Sequence, residues 1–261
     1  MALQKIDYSR ALQEAREKLV LSTTTLESAD PRPVFTAALE TCPICHNKDW
    51  VYNINAKLYV NGGQINSDFG KAYPCPHRRQ TLDEQRHYRL QKYCALPDGA
   101  QPKTFETYTI PPGNERAYAA ALEIVSGAAA FLTLIGHTDL GKTHLAMAIC
   151  HEYIFTGIPA KFLSCDMFLR ELRSSFDGDS QVKYEETFNR ACTVPLLVMD
   201  DFYQGKRTDW MEQELEGVVN ARYLKRLATV FTTNVPLAGM TERIRSRLQR
   251  ESWCRVVVLG E

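Results

Sequence analysis

Residues Gly136-His137-Thr138-Asp139-Leu140-Gly141-Lys142-Thr143 match the pattern GxxxxGK[ST]. They stand directly after an apolar run, AAFLTLI (129–135), and directly before a helix-patterned stretch from Lys142 to Phe155. That order is the context the motif requires: a strand delivers the loop, and the first helical turn turns its backbone N–H groups toward an anion. The expected ligand is a nucleoside triphosphate with Mg²⁺. Gly136 to Thr143 and the adjoining His144 form the expected nucleotide-binding set. Lys142 is placed to reach the β- and γ-phosphates, and the Thr143 hydroxyl to ligate the metal. A chance glycine-punctuated turn would not need strand, loop and helix in that sequence.

The rest of the C-terminal half agrees with this loop. Helical patterning over 117–125, 142–155, 210–227 and 241–250 alternates with buried-strand patterning over 129–135, 160–164, 194–200, 228–233 and 254–259. Strands that are apolar without interruption imply a parallel sheet covered on both faces, an α/β fold. Asp166 is expected to cap a helix running to Arg173. The boundaries read as 1–95 for an N-terminal helical and metal-binding module, 96–114 for a Pro- and Gly-containing linker, and 115–261 for the nucleotide domain.

In a parallel sheet, ligands bind beyond the carboxyl ends of the strands. The run LLVMDD (196–201) therefore brings Asp200 and Asp201 toward the phosphates. Asp200 is the candidate Mg²⁺ holder, directly or through water, and Asp201 the residue that orients the attacking water. The next strand ends Thr232-Thr233-Asn234, which makes Asn234 a candidate polar sensor of the γ-phosphate; in isolation it would be only a turn former. Arg243, Arg245, Arg247 and Arg250 crowd one short helix. Two readings stand: a solvated basic face, or a surface from which one arginine completes a neighbouring subunit's site.

Upstream, Cys42-Pro-Ile-Cys45 and Cys75-Pro-His77 flank an alternating stretch and a Gly-Gly turn. Thiolates and imidazole in such short spacings suit tetrahedral Zn²⁺, and two half-sites around a hairpin read as a zinc-ribbon-like module. Cys42, Cys45, Cys75 and His77 are the expected ligands, with Cys94, His87 and His46 as alternatives for the fourth. Cys150, Cys165, Cys192 and Cys254 sit in apolar runs and read as buried thiols. The segment 77–92, HRRQTLDEQRHYRLQK, is basic, with Tyr88 among its charges; it reads equally as a nucleic-acid contact or a solvated helix.

Lysine plus arginine equals aspartate plus glutamate at 31 each. Global charge thus offers no argument for binding nucleic acid or membrane. No apolar run approaches the roughly 20 residues that span a bilayer, and the N-terminal segment lacks the core of a secretory signal. A cytoplasmic location without membrane attachment is expected.

Together, GHTDLGKTHLAMAI (136–149), LLVMDDF (196–202), NARY (220–223), FTTN (231–234) and ERIRSRL (242–248) resemble the AAA+ loaders of replicative helicases, the DnaC and DnaI type, and the related IstB transposition helper. The resemblance covers about residues 90 to 261. It implies an AAA+ P-loop ATPase whose hexameric replicative helicase partner is delivered onto single-stranded DNA, with ATP-bound chains assembling into a homo-oligomer. It also implies that Arg247, in SRL, acts in trans, with Arg222 as a second candidate. TFETYTIPPGNERAYAAAL (104–122) resembles the segment entering the nucleotide fold and would bring Phe105 and Tyr108 toward the adenine. DnaI-like loaders carry an N-terminal zinc module that contacts the helicase. The sequence departs from the pattern at Asp139, which adds negative charge near the phosphates and is expected to weaken nucleotide affinity or speed exchange. A lid is expected to be absent or truncated. Two other functions share these motifs: a transposition helper on duplex DNA, which would not need a zinc module, and a nucleotide-switch adaptor that barely hydrolyses ATP.

Overall fold

A computed structural model describes residues 8–23, 50–52, 72–74, 76–97, 101–174 and 181–260. The chain divides into two compact units, Glu27–Arg89 and a larger one formed by Met1–Leu26 with Leu90–Glu261.

In the smaller unit, β1 (Trp50–Tyr52) pairs antiparallel with β2 (Ala72–Pro74), Trp50 opposite Pro74 and Tyr52 opposite Ala72. The pair brackets the Gly-Gly segment, which lies outside the described residues. Helix α2 (Pro76–Cys94) follows, its residues from Leu90 on belonging to the larger unit, with proline at its first position, where no amide hydrogen is needed. Cys42, Cys45, Cys75, His46 and the side chain of His77 lie outside the described residues.

The larger unit is built on five parallel strands: β3 (Phe131–Ile135), β4 (Ala160–Ser164), β5 (Leu196–Asp200), β6 (Ala228–Thr233) and β7 (Cys254–Val258). Their spatial order is β4-β5-β6-β3-β7. On one face lie α1 (Tyr8–Thr23), α3 (Glu115–Val125) and α4 (Lys142–Phe155); on the other lie α5 (Cys165–Ser174), α6 (Gln181–Thr193), α7 (Asp209–Lys225) and α8 (Glu242–Gln249). Alternation along the strands feeds both cores. Leu132, Leu134, Val198 and Val230 pack with α3 and α4, whereas Phe131, Leu197, Met199 and Phe231 pack with the opposite helices. This explains the uninterrupted apolar runs: each residue of the strand has a dry face to fill.

Most boundaries fall within two residues of the sequence reading, and α4, β4 and β6 coincide with it. Three details differ. Asp166 lies inside the first turn of α5, so it favours the helix through the dipole rather than as a cap. Helix α6 is polar overall and carries no apolar run that marks it in the sequence. Its stripe of Tyr184, Phe188, Ala191 and Cys192 nevertheless packs on the second core, with Tyr184 and Phe188 stacked at 6.0 Å. Finally α1, grouped by sequence with the N-terminal module, packs on α3 and is pinned to α4. Arg16 donates to both carboxylate oxygens of Glu152, at 2.6 and 2.7 Å, and to Glu106 at 2.5 Å. The bidentate fork raises the Arg16 pKa and pairs a glutamate whose side chain is only 3% exposed. Cys94, Cys150, Cys165 and Cys192 are buried free thiols and Cys254 is half-buried. Among the described residues, no helix is long and apolar enough to cross a membrane.

Candidate active site

The loop between β3 and α4 is held in shape by its glycines and its neighbours. Gly141 has φ +86°, a left-handed conformation that side chains resist. A Cβ there would also lie 2.7 Å from the Tyr108 ring. Asp139 takes φ +66°, which aspartate tolerates better than most residues, and its side chain is exposed, as are His137 and Thr138. Leu140 is half-buried. Lys142 is buried and donates through Nζ to the carbonyls of Gly136 at 2.7 Å and His137 at 2.6 Å. Burial lowers its pKa, while Asp201, Asp200 and Asp139 act in the opposite direction.

Across the sheet, β6 lies between β3 and β5, and this order determines who meets the loop. Thr143, at the start of α4, donates to Asp200 at 3.0 Å to one oxygen and 3.3 Å to the other. Thr232 of β6, fully buried, donates to the same carboxylate in a very short hydrogen bond. The Thr232 hydroxyl also accepts the Asp201 N–H at 3.0 Å, and the Thr232 carbonyl accepts the Phe202 N–H at 2.7 Å. One threonine thus fixes both acids. Desolvation raises the Asp200 pKa, and the two hydroxyl donors oppose that rise. Asp201 has φ +54°, the same left-handed region as Asp139, and its carboxylate is exposed and accepts from Gln204 at 2.9 Å.

The acid loop is anchored beyond Asp201. Tyr203, at φ +65° and 1% exposed, donates its hydroxyl to Glu212 at 3.0 Å and accepts the Thr241 N–H, which opens α8, at 3.1 Å. Arg207 stacks over the Tyr203 ring at 3.5 Å.

The structure therefore brings Gly136 to Thr143 together with Asp200 and, through Thr232, Asp201. His144 turns the other way: its Nε2 meets Thr107 Oγ1 at 3.2 Å and the Thr104 carbonyl at 2.9 Å, tying the entry segment to α4. Phe105 and Tyr108 are buried, the latter between Tyr118, His144 and Gly141. Asn234 follows β6 and is exposed. Arg247 lies elsewhere, at a cavity of about 430 Å³ lined by α7 and α8. There it stacks on Tyr223 at 4.8 Å and donates to Asn220 at 3.3 Å, while Arg243 at the same cavity pairs with Glu216.

Arg222 corrects the sequence reading. It is fully buried, donating to Thr229 Oγ1 at 2.8 Å and to the carbonyls of Ala191, Val194 and Ala228 at 2.8, 2.9 and 2.6 Å. A guanidinium enclosed by its own domain cannot reach a neighbouring subunit, so its role is structural. Thr232 is the reverse case, a residue of the site that no motif in the sequence marks.

The donor set suits Mg²⁺. A hydroxyl and a carboxylate in direct contact at the end of the loop leave the remaining positions to phosphate and water, the usual arrangement for this ion. Zinc is a different matter: its expected ligands Cys42, Cys45, Cys75 and His77 are not described. Cys94 is a free thiol buried in the core. Among the described residues no group of three or more His, Cys, Asp and Glu side chains is arranged to hold a metal.

Comparison with known proteins shows what the chain is similar to. Residues 100–254 match the family model of the bacterial DnaA ATPase domain. The replicative helicase loader DnaI of Bacillus subtilis is 25% identical over 206 residues, covering 75% of this chain and 64% of the loader. The chromosomal replication initiator DnaA of Deinococcus deserti is 32% identical over 157 residues, covering 56% of this chain and 33% of the initiator. The chain thus spans less than two thirds of either relative. Among solved structures, domain III of the Thermotoga maritima initiator DnaA superposes with a TM-score of 0.54 at 26% identity, over 63% of this chain and 69% of that one.

Proposed function

Since the chain belongs to the family of the bacterial DnaA ATPase domain, within the AAA+ ATPases of replication initiation and helicase loading, and carries that ATPase architecture, we propose that it is an ATP-dependent loader. It binds a hexameric replicative DNA helicase and delivers it onto single-stranded DNA. The observation that supports this reading is the likeness to the DnaI loader, of which the chain spans 64%, against 50% of the initiator DnaA of Enterococcus faecalis.

In this proposal the loop from Gly136 to Thr143 cradles the phosphates of ATP with its backbone amides. Lys142, held at the loop by two carbonyls, turns its ammonium to the β- and γ-phosphates. Thr143 and Asp200 hold Mg²⁺, which when bound neutralises charge that develops on the transferring phosphoryl oxygens. Asp201 orients the attacking water, its backbone N–H held by the Thr232 hydroxyl and its carboxylate by Gln204. Asn234, exposed just past β6, senses the γ-phosphate. Arg247 acts from α8 on the site of the next subunit in an ATP-bound homo-oligomer. The N-terminal module binds Zn²⁺ through Cys42, Cys45, Cys75 and His77 and contacts the helicase.

Asp139 favours one second reading, a nucleotide-switch adaptor with little hydrolysis. Its exposed carboxylate stands on the loop itself and opposes phosphate binding electrostatically. A steady-state ATPase assay with and without single-stranded DNA separates the two. The test of the loader reading is co-purification with a hexameric replicative helicase. A complex that depends on the nucleotide present supports it, and no complex under any nucleotide condition refutes it.

A further inference from the structure

Behind the phosphate loop, one buried amide joins two distant backbone segments. Asn114 precedes α3 and is fully buried, yet its side chain makes no cap to that helix. Instead Nδ2 donates to the Leu140 carbonyl at 2.9 Å and Oδ1 accepts the Gly260 N–H at 3.0 Å. A buried amide is costly unless both ends are satisfied, and here both are spent on backbone. The segments it joins already touch. Leu259 donates its N–H to the Ile135 carbonyl at 2.8 Å, carrying the β7 edge past the start of the loop. A Cβ at Gly136 would meet Leu140 Cδ1 at 3.0 Å and Leu259 at 3.3 Å, and one at Gly260 would meet Leu140 at 3.4 Å. Gly136, Leu140, Leu259 and Gly260 thus form one close contact, with Asn114 as its polar clasp.

The geometry matters because Leu140 C=O and Gly141 N–H belong to the same planar trans peptide. In such a unit the two point in opposite directions, so holding the carbonyl back on Asn114 aims the Gly141 amide away from it. We infer that Asn114 is a positioning residue of the phosphate loop, fixing the Leu140–Gly141 peptide against the backbone that leaves β7, and that it thereby sets how long a nucleoside diphosphate stays bound. The inference rests on reading the loop as a nucleotide site.

The test is the dissociation rate of a fluorescent ADP analogue from the full chain, measured by stopped flow at a temperature where far-ultraviolet spectra of parent and variant overlay. Asn114→Ala is expected to release the analogue about tenfold faster, the effect of losing a buried hydrogen bond. Asn114→Asp keeps the size and the acceptor for Gly260 but replaces the donor to Leu140 with a carboxylate oxygen; it should also release faster. A folded variant of either kind that releases at the parental rate overturns the inference. Should neither variant fold, hydrogen exchange on the parent decides. The Gly260 amide should exchange more slowly when ADP is added, and an unchanged rate overturns the inference. Lys142→Ala separates the premises: parental affinity in that variant refutes the nucleotide site itself, whereas its loss leaves the Asn114 result to be read on its own.

Discussion

Thr232 shows how much one hydroxyl can organise. It donates to Asp200 and accepts from the Asp201 amide, so the metal-side acid and the water-side acid share one anchor. Replacing it with valine keeps the shape and the strand propensity while deleting both hydrogen bonds. A hydrogen bond to a charged group contributes roughly 1.5–3 kcal/mol, about 10- to 100-fold in rate. Thr232→Val is therefore expected to lower ATP turnover by about that factor and to leave nucleotide affinity within about threefold. Lys142→Ala should instead remove most affinity. Fluorescent-nucleotide titration beside steady-state turnover distinguishes the two. Parental turnover in Thr232→Val would show that the acids do not depend on it. The motif residues were legible because GxxxxGKT and the paired acids fix their own spacing. Thr232 was not, because its importance comes from β6 lying between β3 and β5, and strand order is not written in the strand.

At the scale of the element, α7 carries the other lesson. Leu215, Val218, Val219 and Arg222 are its buried residues, at spacings of three, one and three. This is the apolar stripe of an amphipathic helix with an arginine in its last place. The family resemblance implies a role in trans for Arg222, whereas the periodicity of α7 places it inside. Its donors close the carbonyls at the end of α6 and the start of β6, so it joins three elements in the core. Arg222→Ala leaves several carbonyls without partners and opens a cavity, an expected loss of about 3–5 kcal/mol. Urea unfolding should show a lower midpoint with an unchanged slope. A loss below about 1 kcal/mol would contradict the structural role. The hairpin of β1 and β2 makes a parallel prediction for the smaller unit. Such a short pair is marginal alone, and bound Zn²⁺ would supply the missing stability. Elemental analysis of freshly purified, reduced protein should find one zinc ion per chain, and its absence would remove the zinc module from the account.

For the molecule as a whole, the α/β class and the parallel sheet were legible from the alternation of apolar runs and helical patterns. The docking of α1 was not, because its pin is a pair of charges, Arg16 and Glu152, far apart in the chain. Assembly is expected to bring Arg247 to a neighbouring site. Arg247→Ala keeps a complete phosphate loop and Asp201→Asn keeps the arginine, so mixtures of the two inactive variants should recover part of the ATPase activity. Loss of such an arginine costs roughly 10³–10⁵ in rate in related phosphoryl transfers. If light scattering shows co-assembly and mixing restores nothing, Arg247 does not act in trans, and the basic face of α8 serves another surface. The central claim, delivery of a helicase, is tested most directly on closed circular single-stranded DNA, which offers no end to thread. A hexameric replicative helicase is incubated with the circle, and its retention is measured after a high-salt wash. Retention should require both this protein and ATP and fall to background with Lys142→Ala; equal retention without the protein or with the variant refutes delivery.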